Sequence, residues 1–308
     1  MARGWRIIDA SNFEGTLAGR RGRITLHEST ISLSEFPAED LAVVLIGPNT
    51  SVTSAALHYA AKHDVVILAV DWRGVPYSGV FNWSAHTRVG ARHIAQASLS
   101  LPRKKNAWMQ LVKAKIRGQA ETLRPIDRDA AARLDSIARN VRTGDPNNAE
   151  GIAARIYWQR VFRETAEFSR DQFGLDNLNV MLNYGYTILR GFAIRAVLGA
   201  GLAPPLGLFH RGRSNYFNLV DDLIEPFRPA IDDFVVRLID GTSLNSPGVK
   251  QGLARAASQP FLPDGTRIPG ALDDLAQQLG RYIEGDVDRL RVACWAGPVA
   301  GHQEFSYA

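Results

Sequence analysis

The segment FHRGRSNYFNLVDDLIEPFRP, residues 209–229, combines residue types that could perform metal-assisted chemistry. It contains His210, Asp222 and Glu225, and the two acids stand three residues apart, so on a helix they would share one face. An imidazole with carboxylates is a ligand set that divalent cations accept. The alternative is chance, because one histidine and a few acids occur together in many helices.

Arginines and a further acid extend this set of candidate residues. Arg211 and Arg213 follow the histidine and Arg228 follows the acids, and guanidinium groups pair well with phosphates. Glu150 is a candidate third ligand, since it lies near the start of a predicted helix with Arg155 one turn further on. The alternative for Glu150 is that an acid in a first turn only complements the helix dipole.

Several common catalytic motifs are missing from the sequence. It contains no GxxxxGK[ST] phosphate loop, no GxGxxG, no GxSxG and no HExxH. Carboxylate oxygens favour Mg²⁺ or Mn²⁺, and an imidazole shifts the preference toward Mn²⁺. Such an ion can polarise a phosphoryl oxygen, and water or a 3′-hydroxyl can supply the attack on a phosphodiester. The residues therefore permit metal-assisted phosphoryl transfer.

Size and composition indicate an ordinary globular protein. The chain has 308 residues, of which 45% are hydrophobic and 22% charged, enough for one large domain or two smaller ones. Cys294 is the single cysteine, which excludes an intrachain disulfide and favours a reducing compartment. Neither a signal peptide nor a run of eighteen apolar residues is found, so we expect a cytoplasmic protein without a membrane segment.

The basic residues are concentrated in one stretch of the chain. Residues 91–142 hold twelve Lys and Arg against four Asp and Glu, whereas residues 1–90 hold eight of each. Such a stretch fits a contact with a phosphate backbone, although many basic helices are only solvated faces, and both interpretations stay open. The leading cations are Arg92, Arg103, Lys104, Lys105, Lys113, Lys115 and Arg117.

The pattern of residues predicts an α+β fold, with a small β-rich N-terminal domain over residues 1–86 and a larger all-helical domain over residues 87–308, which contains all the candidate catalytic residues. Short apolar or alternating runs separated by Gly and Pro predict strands in the first eighty-odd residues. The stretch from Gly19 to Gly22 is a predicted hairpin tip, and Ser51 is the predicted cap of one helix.

After residue 86 the pattern becomes helical. Capping residues at 142–148 predict a break, after which Glu150 lies in the first turn of the next helix. A helix from Tyr216 carries the two acids, and Pro226 should kink it directly after Glu225. The other predicted helical ranges are 149–165, 179–198, 272–284 and 287–295.

Four ordered blocks of the sequence match a known pattern. They are EGIAARIYW from Glu150, LNYGYTILR from Leu182, GLFHRGRSN from Gly207 and DLIEPFRP from Asp222. Together they resemble the CRISPR-associated integrases of spacer acquisition, which are metal-dependent endonucleases that work with a small partner subunit. DLIEPFRP and NYGY look most like the branch from type II systems, and the likeness covers nearly the whole chain.

This resemblance implies roles for individual residues. It implies a catalytic metal site formed by Glu150, His210 and Glu225, which would hold Mg²⁺ or Mn²⁺, with Asp222 as a supporting residue beside it. The candidate DNA-binding residues are Arg213, Arg211, Arg155 and Arg190.

The resemblance also implies partners and a reaction. The protein would form a homodimer through its N-terminal domain, and two homodimers would flank a dimer of the small partner subunit of the CRISPR adaptation complex. That complex would hold a DNA fragment, the prespacer, and join its 3′-hydroxyl ends into the repeat array by transesterification. Two alternatives are a DNA-binding scaffold without catalysis and a free-standing metal-dependent nuclease that uses water.

Overall fold

The computed structural model describes residues 5–29, 31–72, 74–83, 86–162, 168–238 and 242–298. Its strands all lie in the N-terminal part and most of its helices follow them, which confirms the predicted α+β class. The strands are β1 (Arg6–Ala10), β2 (Gly15–Arg20), β3 (Arg23–Glu28), β4 (Ile31–Pro37), β5 (Leu41–Ile46), β6 (Thr50–Val52), β7 (Val66–Val70) and β8 (Pro76–Val80).

One helix lies among the strands and the others come after them. The first is α1 (Ser54–Lys62), which connects β6 to β7. The later ones are α2 (Val89–Ala97), α3 (Leu101–Leu123), α4 (Arg128–Asn140), α5 (Ala149–Val161), α6 (Asn177–Gly199), α7 (Asn218–Ile224), α8 (Arg228–Val236), α9 (Val249–Ala257) and α10 (Ile268–Glu284).

The strands of the described residues form two four-stranded sheets. One has the order β1-β5-β7-β8, in which β8 is an antiparallel edge, and the other has the order β4-β3-β2-β6. Arg21 and Gly22 both have positive φ and join β2 to β3, which confirms the predicted hairpin tip. The predicted helix cap was wrong, because Ser51 lies in β6 and the Thr53 hydroxyl accepts the Ala56 N–H instead.

The first sheet is buried on both faces. Val44 and Ile67 belong to a core shared with the second sheet and α1, whereas Val43 and Leu68 belong to the main core with the helices. A side chain at Gly191 would come within 2.8 Å of Val43, which shows how closely α6 crosses β5. Apolar packing therefore continues across the proposed boundary between residues 86 and 87, and that boundary stays a prediction.

The predicted helix with the two acids is interrupted at Pro226, as expected, but it carries only one of them. α7 begins at Asn218 and ends at Ile224, so it holds Asp222, whereas a 3₁₀ turn over Glu225–Phe227 holds Glu225, and α8 begins at Arg228. No helix in the described part of the chain is both long and apolar enough to cross a membrane.

The helix predicted over residues 287–295 was wrong, because the chain after α10 is irregular there. Gly285, with φ of 90°, ends α10 in a left-handed conformation. Leu290 and Trp295 are fully buried and hold the segment against the helical core.

Candidate active site

Asp222 organises the loop between α6 and α7. It lies on α7 with no exposed surface. Its Oδ2 accepts the backbone N–H of Leu208 at 2.6 Å and of Phe209 at 3.2 Å, and its Oδ1 accepts that of His210 at 3.2 Å. A side chain at Gly207 would come within 3.0 Å of this carboxylate, so glycine lets the loop close around it. This geometry suits a supporting residue.

The same carboxylate orients the ring of His210. Nδ1 lies 2.7 Å from Asp222 Oδ1, and because an ionised carboxylate only accepts, the neutral ring carries its proton on Nδ1 and keeps a lone pair on Nε2. This hydrogen bond raises the pKa of His210 above its ordinary value despite partial burial. Trp108 of α3 stacks on Phe209 with centroids 4.4 Å apart and meets the imidazole edge-on at 5.9 Å.

Glu150 and Glu225 converge on one cation, the ammonium of Lys115 on α3. Lys115 Nζ lies 2.7 Å from Glu150 Oε1 and 2.5 Å from Glu225 Oε2, and the side chains of Lys115 and Glu225 are only 13% and 4% exposed. Burial disfavours the ammonium, but the two carboxylates outweigh burial and raise the pKa of Lys115. The two acids, distant in sequence, thus meet at a single point.

A second cation fixes the other oxygen of Glu225. Arg228 Nη2 lies 3.2 Å from Glu225 Oε1. Burial alone would raise the pKa of Glu225, but Arg228 and Lys115 outweigh it and, with a smaller contribution from His210, lower that pKa to about 2. Glu225 is therefore an anion throughout the physiological pH range, as a cation-binding group must be.

Local hydrogen bonds place Glu150 in the first turn of α5, as the sequence predicts. Asn148 caps the helix and accepts the Gly151 N–H at 3.2 Å. Asp145 accepts the N–H groups of Ala149 at 2.7 Å and Glu150 at 2.9 Å. The polar break before α5 therefore satisfies the helix's first free donors, which fixes the direction in which Glu150 leaves the helix.

The donor set suits a divalent cation, although Lys115 stands between the two carboxylates. Within the residues that the structure describes, no three His, Cys, Asp or Glu side chains are grouped closely enough to hold a metal as they stand. Glu150 and Glu225 each direct one oxygen at a common cation, and His210 Nε2 makes no hydrogen bond in the described part of the chain. The residues fit Mg²⁺ or Mn²⁺ if the ammonium withdraws, and the ligand set stays a prediction.

Comparison with known proteins assigns the family. Residues 11–253 match the family described as CRISPR associated protein Cas1. The chain belongs to the Cas1 family. A CRISPR-associated endonuclease Cas1 from Neisseria meningitidis serogroup C is 35% identical over 258 residues, which cover 82% of each chain. A second such Cas1 from Pyrobaculum aerophilum is 30% identical and covers 76% of this chain and 82% of its own. The Neisseria relative is consistent with the type II-like branch that the motifs indicate.

Solved structures share the Cas1 fold at low sequence identity. A Cas1 protein from Thermotoga maritima gives a TM-score of 0.72 at 14% identity, covering 96% of this chain and all of that one. A casposase bound to integration product gives 0.69 at 19% identity, covering 95% and 93%. A chain of a Cas6-RT-Cas1–Cas2 complex gives 0.75 at 19% identity, covering 95% of this chain and 36% of that one.

The predicted DNA-binding arginines of this Cas1-family protein differ in their surroundings. Arg155, Arg211 and Arg213 are exposed and form no ion pair within the described residues. Arg190 instead pairs with Asp221, with Nη2 2.9 Å from Oδ2, and so helps to hold α6 against α7. DNA binding stays a prediction for all four, and Arg190 is the one whose charge already has a structural partner.

The basic stretch of residues 91–142 is partly internal. Arg92 is 5% exposed and pairs with Glu284 at 3.1 Å. Arg103 lies over the Tyr282 ring, 4.2 Å from its centroid, and Lys115 belongs to the site. All three cations therefore have partners within the fold, although only Arg92 is buried. The leading cations that form no ion pair or ring contact among the described residues are Lys104, Lys105, Lys113 and Arg117.

Sequence reasoning missed the role of Lys115 in the Cas1-family site, although one signal was present. Lys115 falls on the same face of α3 as Trp108, Leu111 and Val112, all of which are buried. A charge on a buried face requires counter-ions, because burying an unpaired charge is costly. That face also supplies Trp108, which supports the His210 loop.

Proposed function

We propose that this Cas1-family protein is a metal-dependent DNA endonuclease and integrase that joins the 3′-hydroxyl ends of short DNA fragments into a CRISPR repeat array by transesterification. The observation that carries this proposal is the convergence of Glu150 and Glu225 on one cation beside an imidazole oriented by Asp222. The names of the relatives, which include Cas1 endonucleases and a casposase bound to integration product, support it.

Each residue of the site would contribute separately to this reaction. Glu150, Glu225 and His210 would hold Mg²⁺ or Mn²⁺, which supplies a Lewis acid for a phosphoryl oxygen when bound. Asp222 keeps the histidine in the tautomer that leaves Nε2 available. Lys115, once released from the carboxylates, would pair with the negative charge of the scissile phosphate.

Exposed arginines near the site would hold the DNA. Arg211 and Arg213 lie on the loop that carries His210, and Arg155 lies on the helix that carries Glu150, so all three are on the elements that form the site. Their guanidinium groups would contact phosphates without reading the sequence, which makes binding strongly dependent on salt.

The proposed assembly contains a homodimer and a small partner subunit. The solved Cas6-RT-Cas1–Cas2 complex is the neighbour that motivates the partner. For the homodimer, the edge strand β8 offers exposed apolar side chains, since Tyr77 is 64% and Val80 is 44% exposed, and Trp83 just beyond it is 94% exposed. An exposed apolar sheet edge is a surface that a second chain can cover.

The catalytic proposal is tested by strand transfer of a labelled DNA fragment into a repeat-containing plasmid with Mn²⁺. Glu225→Gln and His210→Ala should each lower the rate roughly 100-fold or more, the order expected when a group that stabilises transition-state charge is lost. The matched control is Glu121→Gln, which removes a carboxylate on the surface of α3 that is paired with Arg124. This control should leave the rate unchanged.

The products of the same assay separate the proposal from its alternatives. If joined plasmid forms in the presence of Mn²⁺ and does not form in the presence of EDTA, the result supports the integrase. Shortened fragments without joined plasmid would identify a nuclease that uses water. Full activity in His210→Ala, or activity that persists in EDTA, would refute the metal-dependent mechanism.

A further inference from the structure

A basic cleft of about 740 Å³ lies between α3, α10 and the irregular segment that follows α10. Its lining contains four arginines and one carboxylate, which gives it a net charge of +3. The charged residues of the lining are Arg117, Arg281, Asp288, Arg289 and Arg291.

This arginine cleft is separate from the candidate active site. Gln110 and Arg117, seven residues apart, share one face of α3 and line the cleft. Arg117 follows Lys115 by two residues, a rotation of about 200° around the helix, so the two side chains leave α3 on opposite sides. Since Lys115 contacts Glu150 and Glu225, the cleft lies on the side of α3 away from these acids.

The segment after α10 is held in a defined position at the cleft. Leu290 is fully buried, and Arg289 and Arg291 on either side of it are exposed. Arg289 Nη2 lies 3.5 Å from Gln110 Oε1 of α3, and the Arg291 N–H donates to Gln278 Oε1 of α10 at 2.5 Å. The arginines of the cleft therefore lie on two helices and on a segment that is hydrogen-bonded to both helices.

The four arginines have no carboxylate partner of their own among the residues described. Glu284, which follows Arg281 by three residues on α10, is already bound by Arg88 at 2.7 Å and by Arg92 at 3.1 Å. Four guanidinium groups around one concave surface that Asp288 balances only in part repel each other, and an anion relieves that repulsion.

We propose that the arginine cleft binds phosphate groups, and that the backbone of a DNA strand supplies them. Guanidinium groups match phosphate oxygens in charge and geometry, and several elements carry them, as an extended polyanion requires. The phosphate chemistry follows from the cleft alone, whereas the choice of DNA rests on the proposed function. The cleft would then be a second DNA contact, on the other side of α3 from the reacting phosphate.

The test measures binding of a fluorescein-labelled DNA duplex with single-stranded 3′ ends to the full chain in EDTA, over a range of NaCl concentrations. The variant Arg281→Gln, Arg289→Gln, Arg291→Gln should bind more weakly, and the slope of log K against log[salt] should become shallower by about 2 to 3. The control Arg128→Gln, Arg133→Gln, Arg139→Gln removes the same charge from exposed positions of α4 and should keep the wild-type slope.

The outcomes separate the cleft from the active site. A cleft variant that keeps the wild-type slope would overturn the proposal, whereas a failure of the wild type to bind DNA at all would count against the proposed function. A second experiment measures the binding of pyrophosphate to the wild type and to the cleft variant by isothermal titration calorimetry. If the cleft variant loses pyrophosphate binding while its DNA slope stays at the wild-type value, a free polyphosphate is the ligand and the DNA assignment is overturned.

Discussion

At the scale of single residues, the state of the candidate site depends on Lys115. Its ammonium lies within 2.7 Å of oxygens from both Glu150 and Glu225, and it is the cation that these two acids share. Two carboxylates directed at one point, one of them buried, would otherwise repel each other. A divalent cation at this point would balance the same two carboxylates, so Lys115 and a bound metal ion would compete for one position.

Replacing Lys115 should therefore make stability depend on metal. Lys115→Met removes the buried cation and should lower the free energy of unfolding in EDTA by about 3 to 5 kcal/mol, as for other broken buried ion pairs. Mn²⁺ should restore part of this loss, because it supplies positive charge to the same carboxylates. Urea unfolding with EDTA and with Mn²⁺ measures both effects.

Lys113→Met is the matched control for this experiment. Lys113 lies on the same helix, is partly exposed and forms no ion pair among the residues described. Its replacement should leave stability nearly unchanged in either buffer. Equal stability of the two variants in EDTA would contradict the role assigned to Lys115.

At the scale of elements, a buried carboxylate ties three helices together behind the site. Asp232 of α8 is 1% exposed and accepts hydrogen bonds from Tyr157 of α5 at 3.1 Å and Tyr186 of α6 at 2.5 Å. Arg228, at the start of α8, lies over the Tyr186 ring, 4.7 Å from its centroid, and reaches Glu225. This cluster fixes α8, and with it the cation that holds Glu225.

Stability should respond to the protonation of Asp232. Burial raises the pKa of Asp232 to about 6, although the two tyrosines and Arg228 favour the carboxylate. The folded state thus binds the proton more tightly than the unfolded chain, so this stabilisation is present at pH 4 and is lost as pH rises through 6. Relative to Asp232→Asn, which does not titrate, the wild type should lose on the order of 3 kcal/mol between pH 4 and pH 7.

Urea unfolding of both proteins across this pH range gives the difference directly. Asp129→Asn, at an exposed position in the first turn of α4, serves as the surface control and should follow the wild type. Parallel curves for the wild type and Asp232→Asn would show that the Asp232 carboxyl has no raised pKa in the folded protein.

Local signals were sufficient to predict many elements. The hairpin at Arg21 and Gly22, the cap of α5 and the helix interruption at Pro226 each depend on a few adjacent residues, and each was predicted. The helix over residues 287–295 failed because Gly285 and distant packing decide that segment. Trp295 lies against Gly118 of α3, a contact that no local pattern contains.

The residues of the candidate site also differ in whether adjacent residues or distant packing identify them. Glu150, His210, Asp222 and Glu225 were predicted as site residues from ordered motifs, each of which is contiguous in sequence. Lys115 was not assigned to the site, since its partners lie on other helices and only folding brings them to it. Which residues pair with a buried charge is decided by the tertiary fold. A single sequence shows only that a charged residue lies on an apolar helix face, which is a weak sign that it has buried partners.

At the scale of the whole molecule, the β-rich part and the helical part are joined by packing and by a polar contact. The sheet β1-β5-β7-β8 packs against α6 through Val43. Beside it, the Tyr184 hydroxyl donates to Asp9 at 2.7 Å, and Lys250 Nζ lies 3.2 Å from the same carboxylate. A contact made by a second chain on this sheet would therefore be coupled rigidly to the helices that carry the site.

The proposed homodimer predicts that β8 and the residues beyond it are covered in solution. The double variant Tyr77→Ser, Trp83→Ser removes two large exposed side chains from this edge, which should abolish dimer formation with little effect on folding, because neither contributes to the buried core. Size-exclusion chromatography with light scattering should give twice the chain mass for the wild type and the chain mass for the variant. Phe173→Ser, which removes a side chain that is 66% exposed in the helical part, should remain a dimer. A wild type with the mass of one chain, or a variant that still dimerises, would exclude this edge as the interface.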